Sequence, residues 1–479
     1  MEAILQHIEN LFNTIHGQPW DAIQKIPQSG GDRMYFRITQ GQQSWIATYN
    51  LNSKESETFI YFANHFYEKG MPVPKVLAVN EQYTVYLQED LGNISLLDVL
   101  EKEGKTEAVF LLFQKSVTAL AKLQIEGAQG LDYNHCLTSK SFGKHSILTD
   151  LLYYKYYFLD TLQYPYDKQA LIDELELLSA QLADNHFDNF MFRDFQSRNI
   201  MVKNGEVFFI DFQGGMQGGL PYDIASLLWQ AKAELSNEWK EKLFDHYINE
   251  LQKLLPTPLK VADFKIQYHG FVLLRLLQVL GAYGFRGLFE RKAHFLTSIP
   301  LGLLNLKNFL KVYSLDKDTP VFASILKWMV TDEVVERFSP PKANENTPLV
   351  ITINSFSYKK GIPADGSDNG GGFVFDMRGI LNPGRIEEYK KQSGLDKPVQ
   401  DFLEQRTKMN GFLNSVWDLI DITVEDYLKR GFESLQINFG CTGGQHRSVF
   451  AAEQTARHLR NKYKVKTVLH HTNKDHWVK

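Results

Sequence analysis

The stretch from Arg193 to Gly214 restricts the fold of this chain more than any other. It runs Arg193-Asp-Phe-Gln-Ser-Arg-Asn199, then Ile200-Met-Val202, Lys203-Asn-Gly-Glu206 and Val207-Phe-Phe-Ile210, and it ends in Asp211-Phe-Gln-Gly214. Two apolar runs around Asn-Gly predict a β-hairpin, because that dipeptide reaches positive φ cheaply. The hairpin is flanked by loops that carry Asp194, Asn199 and Asp211. Phosphoryl transfer needs one carboxylate to orient the attacking hydroxyl and accept its proton, and a few hard oxygen ligands to hold Mg²⁺ against a triphosphate. Asp194 suits the first task, and Asn199 with Asp211 the second. Each acid alone reads equally well as a turn residue, so it is the ordered context that carries the catalytic reading.

A chain of 479 residues exceeds one hydrophobic core, and at least two domains are expected. After an amphipathic first helix, the runs Met34–Ile38, Ser44–Thr48 and Tyr83–Leu87 alternate like strands, with a helix over 54–69 between them. This predicts a small antiparallel sheet over residues 1–92. Residues 93–336 are mostly helical, with apolar periodicity at 106–124, 169–183, 222–254 and 264–289. Residues 337–348 have the proline and polar content of a linker. In residues 349–479, strands near 349–353, 373–375 and 434–439 alternate with helices near 397–430 and 448–463, the pattern of a compact α/β domain. The whole is therefore expected to be α+β.

With 43% hydrophobic and 23% charged residues the chain is an ordinary globular one. Its two cysteines, Cys136 and Cys441, exclude a disulfide framework and a paired-cysteine zinc site and suit a reducing compartment. The N-terminus lacks the basic and continuously apolar regions of a signal peptide. No stretch approaches the roughly 18 apolar residues of a membrane span. A cytoplasmic location and no membrane partner are the expectation. Residues 348–479 hold 19 Lys and Arg against 15 Asp and Glu, a surplus too small and too scattered to mark a nucleic-acid footprint.

Through Arg193–Asn199, the Asn-Gly hairpin and Ile210-Asp-Phe212, residues 1 to about 335 resemble the aminoglycoside phosphotransferase-like kinases. The resemblance implies a bilobal protein-kinase-like fold, with an antiparallel-sheet N-lobe and a helical C-lobe. It also implies ATP and Mg²⁺ as cofactors, Asp194 as catalytic base, Asn199 and Asp211 on the metal, and a structural role for Asp223. Two departures stand out: Phe192 replaces the usual His, and Thr48 lies where the third strand usually carries a phosphate-binding cation. Glu57 would pair with that cation. Gly30, Gly31, Arg33 and Arg37, in the loop Ser29-Gly-Gly-Asp-Arg-Met-Tyr-Phe-Arg37, and Glu89, in the hinge Leu87–Gly92, complete the expected ATP site. With this loop and hinge, the chain is similar to bacterial anomeric kinases of N-acetylmuramate and N-acetylglucosamine in cell-wall recycling, which implies an aminosugar acceptor. Arg275, Gln278, Tyr283 and Arg286 are candidates for its pocket.

Gly440-Cys-Thr-Gly-Gly-Gln-His-Arg-Ser448 follows an apolar strand and opens a helix. Backbone N–H groups at such a turn, with the positive end of the helix dipole, favour an anion. Cys441, Thr442, Gly443, Gly444, His446, Arg447 and Ser448 are the candidate ligand residues. The spacing Cys441-x5-Arg447-Ser448 also fits a cysteine-dependent phosphatase, but no general acid can be assigned. Together with Ser355–Pro363 and Val374–Arg378, the loop makes residues 349–479 resemble the C-terminal domain of the RNase adapter RapZ. That resemblance implies aminosugar-phosphate binding, with Asp365 as a further residue of the site, and RNA as an alternative partner. Lys360 departs from the pattern. The leading expectation is an aminosugar kinase with a sensing domain. The alternatives are a kinase of an aminoglycoside or choline-like amine, and an RNA-binding regulator with a degenerate kinase half.

Overall fold

The computed structural model describes residues 2–26, 33–184, 189–290, 293–313, 318–367 and 371–478. They pack as two units: Met1–Phe285 with Leu301–Val330, and Arg286–Pro300 with Thr331–Lys479.

In the first unit the expected alternation becomes a five-stranded antiparallel sheet of β1 (Ala22–Ile26), β2 (Met34–Gln40), β3 (Gln43–Tyr49), β4 (Val76–Val79) and β5 (Val85–Glu89), in the spatial order 1-2-3-5-4. Because side chains alternate along a strand, Phe36, Ile38, Trp45, Ala47, Val85 and Leu87 share one apolar cluster with Ile8, Leu11 and Phe12 of the helix Glu2–His16. The helix Ser53–Glu68 buries Phe59, Phe62 and Phe66, and Asn52 caps its start by accepting the Glu55 N–H.

Helices dominate the rest of this unit. The periodic stretch 222–254 is two helices, Pro221–Leu228 and Asn237–Leu254, because Glu234 turns left-handed at φ 44° and Ser236 caps the second helix. The predicted hairpin is present as β7 (Ile200–Lys203) and β8 (Glu206–Phe209), with Asn204 at φ 55° and Gly205 at φ 76°. A second ribbon, β6 (Asn189–Met191) with β9 (Met216–Gly218), was not legible in the sequence, and it brackets the same segment. Residues 192–199 and 210–215 are thus strung between two ribbons.

Contrary to the expectation, two helices, Glu107–Gly127 and Val261–Phe289, are long and apolar enough to cross a membrane. More than half of each apolar window is buried inside the fold, which accounts for the composition.

In the second unit β10 (Val350–Ser357), β11 (Gly372–Asp376), β12 (Ser434–Cys441) and β13 (Lys466–His471) form a parallel sheet in the order 11-12-10-13. Ile351, Ile353, Ile437 and Phe439 meet Leu413, Val416 and Ile420 of the helix Met409–Arg430 in one core. The expected helix over 397–430 is broken at Thr407 and Lys408. This parallel topology puts the 440–448 loop at the carboxyl end of β12, where open α/β sheets bind ligands.

Helix Val261–Tyr283 crosses helix Lys144–Tyr157 almost backbone to backbone. A Cβ on Gly281 would stand 2.9 Å from Tyr154 Cα, and one on Gly284 would stand 2.1 Å from the Tyr157 carbonyl oxygen. Gly284→Ala is therefore expected to destabilise the protein by about 2–4 kcal/mol, since backbone must move to admit a methyl group. The loss is read as a lowered thermal midpoint.

Candidate functional site

The loop that carries Asp194 is held from below by a fully buried carboxylate. Asp223 Oδ2 accepts the Phe192 N–H (2.7 Å) and the Gln124 amide (2.9 Å), and Oδ1 accepts the Arg193 N–H (3.0 Å). Burial pushes the Asp223 carboxyl up to about 7, against the pull of those donors. Arg193 sits at φ 79°, an unfavourable conformation for any residue with a Cβ. Its guanidinium is fixed to Asp150 Oδ1 at 2.7 Å and to Tyr222 Oη at 2.9 Å. Phe192 packs against Phe195, Phe209 and Phe212 at ring distances of 5.2 to 6.1 Å. Phe59 of helix Ser53–Glu68 stacks on Phe212 at 4.9 Å and so ties the two lobes to one aromatic frame.

On this frame Asp194, Asn199 and Asp211 come together. Asn199 donates to the Asp194 carbonyl oxygen at 2.9 Å and to Asp194 Oδ2 at 3.3 Å, which turns its own Oδ1 away from Asp194. The Ile210 N–H donates to the Asn199 carbonyl oxygen at 3.0 Å, placing Asp211 beside it. Gln196 donates to Asp194 Oδ1, and Arg198 lies 3.1 Å from Oδ2. Asp211 is left-handed at φ 69° and accepts Arg33 Nη2 at 2.7 Å and Gln213 Nε2 at 2.9 Å on Oδ1. Burial alone would raise its pKa, but Arg33 and Gln213 hold it below the usual carboxylate range. One amide oxygen and one ionised carboxylate side by side are a donor set that suits Mg²⁺.

The expected nucleotide residues divide. Arg33 reaches Asp211 and lies 3.5 Å from Glu55, and its guanidinium rests 5.9 Å from the Tyr35 ring. Its acidic partner on the N-lobe helix is Glu55, in place of the expected Glu57; Glu55 also accepts Asn50 Nδ2 at 2.9 Å. The signal for it in the sequence was the cap Asn52-x-x-Glu55. Arg37, expected at the phosphates, instead forks onto the buried Asp90, just past the end of β5, at 2.6 and 2.9 Å. Glu89 ends β5 and lies 3.4 Å from Lys203 of the hairpin, whose Nζ also donates to the Asp90 carbonyl oxygen at 2.8 Å. Gly30 and Gly31 lie outside the described residues. Thr48 is fully buried on β3 between Tyr35 and Tyr86 in register.

In the second unit the loop after β12 is ordered by its own side chains. Cys441 Sγ accepts the Gly444 N–H at 3.2 Å and lies 3.2 Å from Ser448 Oγ. Thr442 and Gly443 are exposed, whereas Cys441, Gly444, His446, Arg447 and Ser448 are buried. His446 Nε2 donates to the Tyr389 carbonyl oxygen at 2.9 Å. Arg447 donates to the carbonyl oxygens of Ile380 (2.8 Å) and Arg378 (3.2 Å), and its Nε has no hydrogen-bond partner among the described residues. Burial pulls the Arg447 guanidinium below its ordinary value, a penalty that the nearby Cys441 and Asp376 offset in part. Asp365 accepts Ser367 Oγ and the Ser367 and Gly371 N–H groups, and so shapes its own loop.

Residues 22–257 match the sequence model of the phosphotransferase enzyme family, and residues 349–475 match that of the RapZ C-terminal domain. A nucleotide-binding protein of Shewanella halifaxensis is 38% identical over 123 residues, which cover 26% of this chain and 42% of that protein. One from Clostridium acetobutylicum is 41% identical over 113 residues, covering 24% and 37%. The chain therefore spans less than half the length of these curated relatives. Among solved structures, the choline kinase LicA from Streptococcus pneumoniae is similar with a TM-score of 0.44 and 12% identity, covering 64% of this chain and 99% of that one. An ethanolamine kinase from Plasmodium vivax has a TM-score of 0.43 and 15% identity, covering 60% and 82%.

Because Asp223 accepts both the Phe192 and the Arg193 N–H groups, Asp223→Ala is expected to destabilise the fold by about 2–4 kcal/mol, as it leaves buried donors unmade. Denaturant unfolding checks this.

Proposed function

With residues 22–257 in the phosphotransferase enzyme family and residues 349–475 in the RapZ C-terminal domain family, we propose that the protein is an ATP-dependent kinase of an aminosugar. The convergence of Asp194, Asn199 and Asp211 at one end of the β7–β8 hairpin carries this reading. Asp194 orients the acceptor hydroxyl and takes its proton, while Arg198 and Gln196 hold the carboxylate in place. Asn199 Oδ1 and Asp211 are the ligands for Mg²⁺, which supplies neutralisation of phosphate charge. Arg33 stands in for the cation missing at Thr48: like a strand lysine it is paired to an acid of the N-lobe helix, here Glu55, and faces the metal carboxylate. The acceptor within this reading is N-acetylmuramate or N-acetylglucosamine, phosphorylated at the anomeric hydroxyl, in a cytoplasmic recycling reaction.

In the second domain, Arg447 is a 4% exposed cation that donates to the carbonyl oxygens of Arg378 and Ile380 and lies beside Cys441. Its burial is only partly offset by Cys441 and Asp376, and an incoming phosphate relieves the remaining cost. This supports binding of an aminosugar phosphate at Cys441–Ser448, where it acts back on the kinase.

Coupled ATP-turnover assays with both sugars test the first domain. Asp194→Asn is expected to lower kcat by roughly a thousandfold or more while leaving the KM for ATP within about threefold. Arg33→Ala is expected to raise the KM for ATP about tenfold, with partial recovery in Arg33→Lys. An Asp194→Asn protein with undiminished sugar phosphorylation overturns the reading. For the second domain, calorimetry of the full chain with glucosamine 6-phosphate is expected to show binding that Arg447→Gln weakens at least tenfold. Kinase rates with and without that ligand report the coupling.

A further inference from the structure

Beside the candidate base lies a small cavity lined by Gln196, Ser226, Gln230, Arg275 and Tyr283, among others. Two residues of its wall each carry a buried polar atom with no hydrogen-bond partner among the described residues, Arg275 Nε and Ser226 Oγ, on residues 5% and 3% exposed. Buried donors are nearly always satisfied in native proteins, so two orphans in one wall mark a position built to be filled. The space is about 30 Å³, which admits one water-sized group rather than a sugar ring.

The rest of Arg275 is fixed. Its Nη1 donates to Tyr222 Oη at 3.0 Å and to Gln278 Oε1 at 2.8 Å, and its Nη2 stands 3.8 Å from Asp194 Oδ1. Gln196 joins the cavity to the same carboxylate, since it donates to Asp194 Oδ1. Arg198 borders Asp194 from the other side, and both arginines act on Tyr283, favouring its ionised form against the effect of burial. The acids of this region are engaged: Asp194 with Arg198 and Arg275, and Asp150 with Arg193. A positively charged acceptor arriving at Asp194 would meet guanidinium groups on both sides, whereas an oxygen-rich acceptor would meet donors.

Resting on the kinase reading above, we propose that this cavity is a specificity subsite. It takes one oxygen substituent of a neutral or anionic acceptor, next to the hydroxyl that faces Asp194. Arg275 Nε and Ser226 Oγ donate to that oxygen, and the same arginines exclude cationic amines.

The test uses the full chain with ATP and four acceptors: N-acetylmuramate, N-acetylglucosamine, choline and kanamycin. The two sugars are expected to give the higher kcat/KM. Ser226→Ala is expected to raise their KM about tenfold, the loss of one hydrogen bond, with the KM for ATP unchanged. Its thermal midpoint is expected to hold or rise, because Ser226 Oγ makes no bond in the free protein, and a merely structural serine would not give that combination. Arg275→Lys, which keeps the charge but moves the donor, is expected to raise the sugar KM as well. Unchanged sugar KM values in both variants overturn the subsite, as does preferential turnover of choline or kanamycin, and either result leaves the kinase reading intact. Absence of ATP-dependent transfer to all four acceptors, with Asp194→Asn behaving like the parent, removes the kinase reading and the subsite with it.

Discussion

Everything on the catalytic side of this protein hangs from the Asp223 carboxylate. A buried acid is costly in isolation, and here it is satisfied by the N–H groups of Phe192 and Arg193 and by Gln124. Those two N–H groups belong to the residues just before Asp194. With them fixed, Arg193 is held at positive φ and the chain turns so that Asp194 faces outward while Phe192 and Phe195 face the aromatic core. The hairpin then returns the chain past Asn199, and the Ile210 N–H bond to Asn199 sets where Asp211 stands. Three polar groups thus owe their proximity to one acid buried beneath them.

The second domain uses the same physics with the opposite sign. Arg447 is a buried cation satisfied by carbonyl oxygens instead of a carboxylate, at the carboxyl end of a parallel sheet. The thiol of Cys441 lies inside the turn, accepting an N–H and touching Ser448, which gives the loop a fixed shape before any ligand arrives. Sulfur here acts as an internal brace of the turn.

How much of this was legible in the sequence follows from the range of each interaction. The hairpin was readable because Asn204-Gly205 is a local signal, and with it the spacing of Asp194, Asn199 and Asp211. The N-lobe helix was readable, but its rotation was not: Glu57 was expected where Glu55 faces Arg33, since the phase of a helix against a sheet is set by packing of Phe59, Phe62 and Phe66. Arg37 was misread for a similar reason, because its partner Asp90 lies 53 residues away. The short β6–β9 ribbon carries too few residues to show a period. The orphaned atoms of Ser226 and Arg275 are visible only once helices are packed.

The glycine contact between helices Lys144–Tyr157 and Val261–Tyr283 bears on the acceptor side. At Gly281 and Gly284 one helix backbone meets the other with only the Tyr153 ring beside them, so the pair has little room to shear and packs as a single beam. Arg275 is mounted on that beam six residues before Gly281, and Arg193 is anchored to Asp150 on its other half. The angle at which guanidinium meets carboxylate is therefore a mechanical property of the helix pair. Drift in substrate preference need not begin in the pocket: a slight roll of the beam would re-aim both arginines together.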